Sequence, residues 1–266
     1  MDLQLKGKRA LVTGGGRGIG KAIARQLARE GCDVAVAARD MANLEAAAKE
    51  IAEETGAKVV AVPIDTSKDA SVDEAVRRTV EALGGLDILV NNAAKPGGQT
   101  PPPKLAEITD AAFWDDVNVK VLGYLRCARA AAPHMIAGGW GRIVNVSGLA
   151  ARQAGTIIGS IRNVSVAALT KNLADELGPH GINVTVVHPG LTRTEKTAPL
   201  VAARAAAAGL SVEAMERQMA GFVVIGRMVD AEEVADVVAF LASPRSVAIT
   251  GDAVACGGGA KTAIHY

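Results

Sequence analysis

Short apolar runs rich in β-branched residues alternate with longer segments of helical period along most of the chain. The runs predict seven buried strands, at residues 9–13, 33–38, 58–63, 86–91, 141–147, 182–188 and 252–256. Between the first two runs, Ile19, Ile23 and Leu27 fall on one face of a helix. This helix is predicted over residues 18–30, and Gly31 supplies its stop. Such alternation predicts the α/β class, with one doubly wound parallel sheet and helices on both faces.

Composition and charge set the broad class of protein. The 266 residues carry 29 Lys and Arg against 28 Asp and Glu, so no charge excess points to nucleic acid or to an anionic membrane. No stretch approaches the ~18 uninterrupted apolar residues that a membrane span needs. The polar start, with Asp2 and Lys6, does not resemble a signal peptide, and three scattered cysteines have no metal-ligand spacing. We expect a cytoplasmic protein with no metal, nucleic-acid or membrane partner.

Two segments interrupt the alternation. Residues 95–104 are rich in Pro and Gly and follow the fourth strand, and residues 191–224 form a long insert before the last helix. In a doubly wound sheet, ligands lie outside the carboxyl ends of the strands. Because both segments follow such ends, we expect them to wall a substrate cleft, with 191–224 as an apolar lid on a single domain of residues 1–266. Ordinary surface loops are the alternative interpretation.

A glycine-rich turn joins the first predicted strand to the first predicted helix. Its glycines allow the backbone to turn tightly and to approach a pyrophosphate, and the free N–H groups of the helix start face the anion. Because the turn lies between a strand and a helix, it predicts a dinucleotide site and a Rossmann-type sheet. The cofactor-binding residues predicted in this turn are Gly14, Gly16, Arg17, Gly18, Ile19 and Gly20.

The spacing of Gly14, Gly18 and Gly20 resembles that of the short-chain dehydrogenase/reductase family. Further motifs agree from about residue 3 to residue 259, including Asn91-Asn92-Ala93-Ala94 after the fourth strand and Ile249-Thr250-Gly251 near the end. The resemblance implies further cofactor contacts at Asp65, Thr66, Asn92, Ala93, Ala94, Pro189, Gly190, Thr192 and Thr194. It also implies a small-molecule substrate and a homotetramer or dimer built on the fourth and fifth main helices.

The residues near the adenosine ribose indicate which nicotinamide cofactor is used. An acidic residue at the end of the second strand would accept hydrogen bonds from the ribose 2′-hydroxyl and repel a 2′-phosphate. That position is Ala38, followed by Arg39, and Arg17 lies in the glycine-rich turn. Each guanidinium can bind a phosphate with paired N–H donors, whereas the side chain of Asp40 points the other way. We predict NADP(H); the alternative is that both arginines are solvated surface charges.

Family members that reduce carbonyls share an Asn-Ser-Tyr-Lys set. The Tyr gives a proton to the alkoxide formed by hydride transfer. The Lys, four residues later on the same helix face, lowers the Tyr pKa and holds the nicotinamide ribose. Asn118 matches the Asn, and Ser147 lies where the Ser belongs. The serine alignment is ambiguous by one residue, because the family often has a second serine, where this chain has Gly148.

The Tyr-x-x-x-Lys motif does not occur in this sequence. Residues 167–171 match the family segment after the Lys, and counting back places Arg162 at the Tyr position and Val166 at the Lys position. The two tyrosines, Tyr124 and Tyr266, are not followed by Lys at this spacing. The resemblance is therefore to a divergent member of the family with another proton donor.

Four residues are the catalytic candidates: Asn118, Ser147, Arg162 and His188. Arg162 cannot be a general acid, because arginine does not deprotonate in proteins. It could stabilise an oxyanion or bind a substrate anion, or it could form a local ion pair on the helix surface. His188 has a pKa range suited to proton transfer, or it packs in the core.

Three functions remain open from the sequence. The first is an NADP(H)-dependent oxidoreductase that acts on a carbonyl or alcohol with a non-standard proton donor. The second is a catalytically inactive NADP(H)-binding sensor or structural protein. The third is a non-redox lyase or dehydratase on the same scaffold. Halohydrin dehalogenases of the family argue against the third, because they discard the cofactor turn and keep Ser and Tyr, whereas this chain does the reverse.

Overall fold

The computed structural model describes residues 1–95 and 102–261. The greater part of the Pro/Gly segment 95–104, and Tyr266, therefore lie outside the described residues. The strands are β1 (Arg9–Thr13), β2 (Asp33–Ala38), β3 (Val59–Pro63), β4 (Ile88–Asn91), β5 (Gly141–Val146), β6 (Ile182–Pro189), β7 (Thr192–Arg193), β8 (Val229–Asp230) and β9 (Ala253–Cys256). The helices are α1 (Gly18–Arg29), α2 (Met41–Thr55), α3 (Asp69–Leu83), α4 (Asp110–Val117), α5 (Gly123–Gly138), α6 (Ile157–Leu177), α7 (Thr197–Ala208), α8 (Val212–Met219) and α9 (Ala231–Leu241).

The central sheet has seven strands in the order β3-β2-β1-β4-β5-β6-β9. Every neighbouring pair in it is parallel. The predicted Rossmann-type sheet is thus confirmed, and each predicted strand lies within two residues of the observed one. The strand order reverses between β1 and β4, and the crevice at such a switch point is where this architecture binds ligands.

Helices cover both faces of the sheet because successive side chains of a buried strand point to opposite sides. In β1, Ala10 and Val12 join the apolar cluster formed with α1, α2 and α9. Leu11, between them, joins the cluster formed with α3, α5 and α6. Burial of each large aliphatic side chain contributes roughly 1.5–3 kcal/mol, so this two-sided core fixes the register of the strands.

The segment from β7 to β8 contains most of the predicted insert 191–224. β7 and β8 form a separate two-stranded parallel sheet at its base. Helices α7 and α8 stand on this base and pack around a small core that includes Val201 and Met215. An open, mainly apolar cavity of about 480 Å³ lies between them, and its lining includes none of the predicted site residues. The site is therefore located by the ends of the strands rather than by this cavity.

None of the helices in the described ranges is long and apolar enough to cross a lipid bilayer.

Candidate active site

The glycine-rich turn is closely packed at the switch point of the sheet. A Cβ atom added at Gly20 would lie 2.3 Å from the carbonyl oxygen of Gly14 and 2.4 Å from Nδ2 of Asn92. Gly14 itself has φ +69°, and its N–H donates to the carbonyl oxygen of Ala37 at 2.6 Å. Glycine is needed at Gly14 because of its left-handed backbone and at Gly20 because of the close approach. These requirements explain two of the predicted glycines.

Asn92 and Thr13 brace this turn against the end of β4. Asn92 Nδ2 donates to the carbonyl oxygens of Thr13 at 3.1 Å and Gly14 at 3.3 Å. In return, Thr13 Oγ1 accepts the backbone N–H groups of Asn92 at 3.0 Å and Ala93 at 3.1 Å. Ala94 follows, half-buried, on the same strand end. The predicted residues 92–94 thus form the wall of the crevice beside the turn.

The amino end of α1 holds an anion of the protein itself. The Gly18 N–H donates to the carboxylate of Glu195, at 3.0 Å to Oε2 and 3.2 Å to Oε1. A helix start attracts negative charge because its first N–H groups have no partner within the helix. The contact shows that this N–H group can donate to an anionic oxygen. It also brings the loop after β7, including Thr194, against the turn.

Two exposed arginines, Arg17 and Arg39, lie where the adenosine ribose is predicted. Asp40 is turned away from them, because its carboxylate caps α2 by accepting the N–H of Asn43 at 3.2 Å. Asp65 Oδ1 accepts the hydroxyl of Ser67 at 2.6 Å. That hydrogen bond lowers the pKa of the Asp65 carboxyl, and the nearby charge of Arg39 adds to the effect.

The opposite end of the crevice, where the nicotinamide is predicted, is formed by the chain after β6. A Cβ atom at Gly190 would lie 2.9 Å from Gly257 Cα, so two glycine backbones meet there. Thr192 Oγ1 donates to the carbonyl oxygen of Gly190 at 3.1 Å. The Thr194 N–H donates to Thr197 Oγ1 at 2.9 Å, at the start of α7. Pro189, Gly190, Thr192 and Thr194 therefore lie on one continuous segment that leads to the Glu195 contact.

A π-helical turn over Asn118–Leu122 joins α4 to α5. Turns of this kind are rare and are frequent at functional sites. Asn118 Oδ1 accepts Nη1 of Arg126 at 2.8 Å, and the same Nη1 donates to the carbonyl oxygen of Thr66 at 3.1 Å. The Thr66 hydroxyl donates to the carbonyl oxygen of Val119 at 3.0 Å. Asn118 is thus held towards the end of β3.

The other candidate catalytic side chains also have structural partners. The Ser147 hydroxyl donates to the carbonyl oxygen of Asn163 on α6 at 3.0 Å. Arg162 Nη1 forms an ion pair with Asp116 on α4, at 2.6 Å to Oδ1 and 2.9 Å to Oδ2. His188, on β6, is only 1% exposed. The ion pair is the alternative that the sequence left open for Arg162.

Lys120 is the functional candidate that sequence reasoning missed. Its side chain is 3% exposed, and Nζ donates to the carbonyl oxygen of Ser147 and to Oδ1 of Asn163, both at 2.9 Å. Burial lowers the pKa of the Lys120 ammonium to about 7; the Arg162 guanidinium also lowers it, and the Asp116 carboxylate opposes them. A signal was present, because Lys120 is a single charge among the apolar residues Val119, Val121 and Leu122.

Tyr124 is not available as a proton donor in place of the missing motif. It is fully buried, and its hydroxyl donates to the carbonyl oxygen of Val146 at 2.8 Å. Burial raises the pKa of the Tyr124 phenol well above its usual range.

Comparison with protein families identifies the chain. The profile described as short chain dehydrogenase matches residues 8–205. The chain belongs to the short-chain dehydrogenase family. This confirms the family that the motifs predicted, and it makes the protein a member of a family of oxidoreductases.

The short-chain dehydrogenase has similar relatives over nearly its whole length. It is 33% identical over 262 residues to a 3-oxoacyl-(acyl-carrier-protein) reductase of Aquifex aeolicus, which covers 97% of this chain and 99% of the relative. It is 36% identical over 247 residues to a sorbitol dehydrogenase of Cereibacter sphaeroides, with 92% and 93% covered. An L-sorbose reductase of Gluconobacter frateurii, solved with NADPH and L-sorbose, superposes with a TM-score of 0.93 at 29% identity, over 99% of this chain and 100% of that one. The NADPH in that structure agrees with the predicted cofactor.

Among the described residues of this short-chain dehydrogenase, no group of three or more His, Cys, Asp or Glu side chains is arranged to hold a metal ion.

Proposed function

We propose that this short-chain dehydrogenase is an NADP(H)-dependent oxidoreductase that interconverts a small or medium-sized carbonyl compound and its alcohol. One observation carries the proposal. The turn over residues 14–20 is packed so closely at the switch point that Gly20 has no room for a Cβ atom, and the N–H of Gly18 already binds a carboxylate. A dinucleotide pyrophosphate has the charge and the oxygen acceptors that this helix start selects.

The residues of the crevice fit the two ends of NADP(H). Arg39 is exposed at the end of β2, where Ala38 offers no carboxylate to repel a 2′-phosphate, and Arg17 is exposed in the glycine-rich turn. Pro189, Gly190, Thr192 and Thr194 would hold the nicotinamide end, and Asp65 and Thr66 would face the adenine. The bound cofactor would supply or accept the hydride. NADPH in the similar L-sorbose reductase supports the same choice for this chain.

The insert supports a substrate cleft rather than an open crevice. The loop after β7 reaches the amino end of α1 through Glu195, and α7 follows directly. At the far end of the insert, the N–H of Val224 donates to the carbonyl oxygen of Gly259 at 2.9 Å. These contacts at its two ends support the proposal that the segment 191–224 acts as a lid on a single-domain protein.

The helices next to the site also support the expected oligomer. With α4 and α5 counted as one bent helix, the fourth and fifth main helices are α4–α5 and α6. Their large exposed apolar side chains are Trp114, Leu125, Ile136, Ile157, Ile161 and Val164. Burial of such side chains against other copies would stabilise a homotetramer or dimer. Light scattering on the purified chain would measure the subunit number.

A specific observation favours a second candidate, an inactive NADP(H)-binding protein. Asn118, Ser147 and Arg162 are held by Arg126, by the α6 backbone and by Asp116, respectively. Each of these contacts joins the side chain to another part of the protein. A sensor would need the cofactor turn and would tolerate this arrangement.

The test is a fluorescence titration with NADPH, followed by a panel of ketoses, small ketones and 3-oxoacyl thioesters in the same buffer. Binding together with NADPH oxidation by one member of the panel supports the oxidoreductase. Binding without any oxidation supports the sensor. Absence of NADPH binding contradicts both.

A further inference from the structure

The buried ammonium of Lys120 has no role in the function proposed so far. It lies in the π-helical turn, yet both of its hydrogen bonds leave that turn, one to the carboxyl end of β5 and one to α6. Lys120 is 3% exposed, and its two hydrogen bonds are to neutral oxygens. Its burial costs free energy of folding, since burial disfavours the charged form. Such a group is a candidate for function rather than for stability.

Lys120 meets α6 at Asn163, the residue after Arg162, which the family resemblance places at the Tyr position. Gly159 and Asn163 are four residues apart, and both are buried. Asn163 Nδ2 would lie 3.2 Å from a Cβ atom added at Gly148, so this face also meets the loop after β5. Neither residue supplies a phenol or an ammonium at this place. The Lys120 ammonium comes to the same place from the neighbouring helix.

We infer that Lys120 is the proton source for carbonyl reduction, replacing the phenol that the family uses. The inference rests on the proposed oxidoreductase function. The charged groups that face Lys120 are Asp116 on α4 and Arg162 on α6, and the Tyr124 ring of α5 lies 6.0 Å from Nζ. The hydrogen bonds within the described residues use two of the three N–H donors of the ammonium. We assign the third donor to a water molecule between Nζ and the substrate.

The proposed reduction adds one hydride and one proton to the carbonyl group. Hydride from the reduced nicotinamide forms a C–H bond at the carbonyl carbon, and the π electron pair of the C=O bond moves to oxygen. A water molecule gives that oxygen a proton and takes one from Lys120 Nζ, whose N–H electron pair stays on the neutral amine. The nicotinamide is oxidised, the carbonyl compound is reduced to an alcohol, and solvent returns a proton to the amine. A group with a pKa of about 7 is suited to both halves of this cycle at neutral pH.

The test compares four full-length proteins: wild type, Lys120→Met, Lys120→Arg and the control Lys171→Met. Lys171 is exposed on α6, the helix that carries Asn163, and it pairs only with Asp175 among the described residues. For each protein we would measure NADPH affinity by fluorescence and kcat for reduction from about pH 5.5 to about pH 9. Thermal unfolding would show whether each variant is folded.

The expected result separates binding from chemistry. Wild-type kcat falls as pH rises through about 7, because the ammonium is lost. Lys120→Met lowers kcat by about 100-fold or more at acidic pH and removes this pH dependence, with NADPH affinity unchanged. Lys120→Arg stays equally slow, because arginine keeps the charge and does not release a proton. Lys171→Met behaves as wild type.

Several outcomes would overturn the inference. Full activity in Lys120→Met or in Lys120→Arg would show that the ammonium proton is not used. A wild-type kcat that does not change with pH over the range would do the same, even if the variants failed to fold. If the wild-type protein binds NADPH but reduces no carbonyl of the panel, the proposed oxidoreductase function fails together with the role of Lys120. If the wild type is active and the Lys120 variants are equally active, only the role of Lys120 fails.

Discussion

The two halves of the crevice differ in how much of the family pattern they retain. At the cofactor half, Gly14, Gly20 and Asn92 lock into a turn where an additional carbon atom would overlap its neighbours. At the chemistry half, Ser147 and Arg162 are tied to structural partners, and the buried Lys120 is hydrogen-bonded to Asn163 on α6. The cofactor half is constrained by close packing of the backbone. In the chemistry half, a functional side chain on one helix can be replaced by a side chain from another helix.

This difference indicates that the proton-donating group of such a site can change without loss of the fold, whereas the cofactor turn cannot. Gly14 and Gly20 pack against each other and against Asn92, so a substitution at either glycine disturbs the ends of β1 and β4 and the start of α1 together. The proton-donating group only has to reach the carboxyl end of β5, and Lys120 does so from the π-helical turn between α4 and α5. Variants that affect only one half of the crevice test whether the two halves act independently.

The largest effect is expected from Gly20→Ala. The new Cβ atom would lie 2.3 Å from the Gly14 carbonyl oxygen, and overpacking of this kind costs about 1–3 kcal/mol. If the strain falls on the cofactor turn, NADPH affinity drops about 10- to 100-fold in a calorimetric titration. Gly138→Ala is the control, because a Cβ atom at Gly138 meets nothing within 4 Å. Equal NADPH affinity in both variants would show that the turn does not hold the cofactor.

Arg39→Ala is expected to weaken NADPH binding about tenfold and to leave NADH binding unchanged. A hydrogen bond to a charged group contributes about 1.5–3 kcal/mol, and the exposure of Arg39 places its contribution at the lower end. Dissociation constants for both nucleotides, measured by fluorescence, check this. Arg129→Ala, at a side chain that is 61% exposed on α5, is the control. A loss for NADH as large as that for NADPH would mean that Arg39 does not contact the 2′-phosphate.

Opposite shifts of the pH profile are expected from the two members of the ion pair beside Lys120. Asp116 raises the pKa of Lys120 and Arg162 lowers it. Asp116→Asn should therefore move the fall in kcat to lower pH, and Arg162→Met should move it to higher pH, each by about one pH unit. The pH dependence of kcat for reduction measures both shifts.

Asp175→Asn, on the exposed face of α6, is the control for this pair of variants. Shifts in the same direction for Asp116→Asn and Arg162→Met would show that the titrating group is not Lys120.

The smallest effect is expected from Glu195→Gln. The Glu195 carboxylate occupies the N–H of Gly18, and an anion at a helix start is stabilised by about 0.3–1 kcal/mol. Removing the charge weakens this competitor, so NADPH affinity should rise about two- to fivefold. Glu53→Gln, at an exposed position of α2, should leave the affinity unchanged. A fall in NADPH affinity for Glu195→Gln would mean that the carboxylate assists the cofactor instead of competing with it.

The sequence predicted the parts of the molecule that depend on local patterns. Seven strands, the helix that ends before Gly31 and the glycine-rich turn all follow from the order of neighbouring residues. The pairing of β7 with β8 was not predicted, because two-residue strands carry no periodic pattern and join positions 192 and 229.

The arrangement of the candidate catalytic residues depends on contacts between distant parts of the chain. Lys120 meets Asn163, and Asp116 meets Arg162, only because α4–α5 and α6 pack together; the two pairs are separated by 43 and 46 residues. The sequence could place Arg162 on a helix, but it could not show which acidic residue would face it. The apolar neighbours of Lys120 were a signal that it could be buried, but the sequence could not show that Asn163 would be its partner.

The central claim is that the dinucleotide site is intact although the usual proton donor is missing. Isothermal titration calorimetry of the wild-type protein with NADPH and with NADH tests it most directly. The account predicts saturable binding at one site per chain, with NADPH at least about tenfold tighter than NADH. Absence of heat from either nucleotide, or tighter binding of NADH, would contradict it.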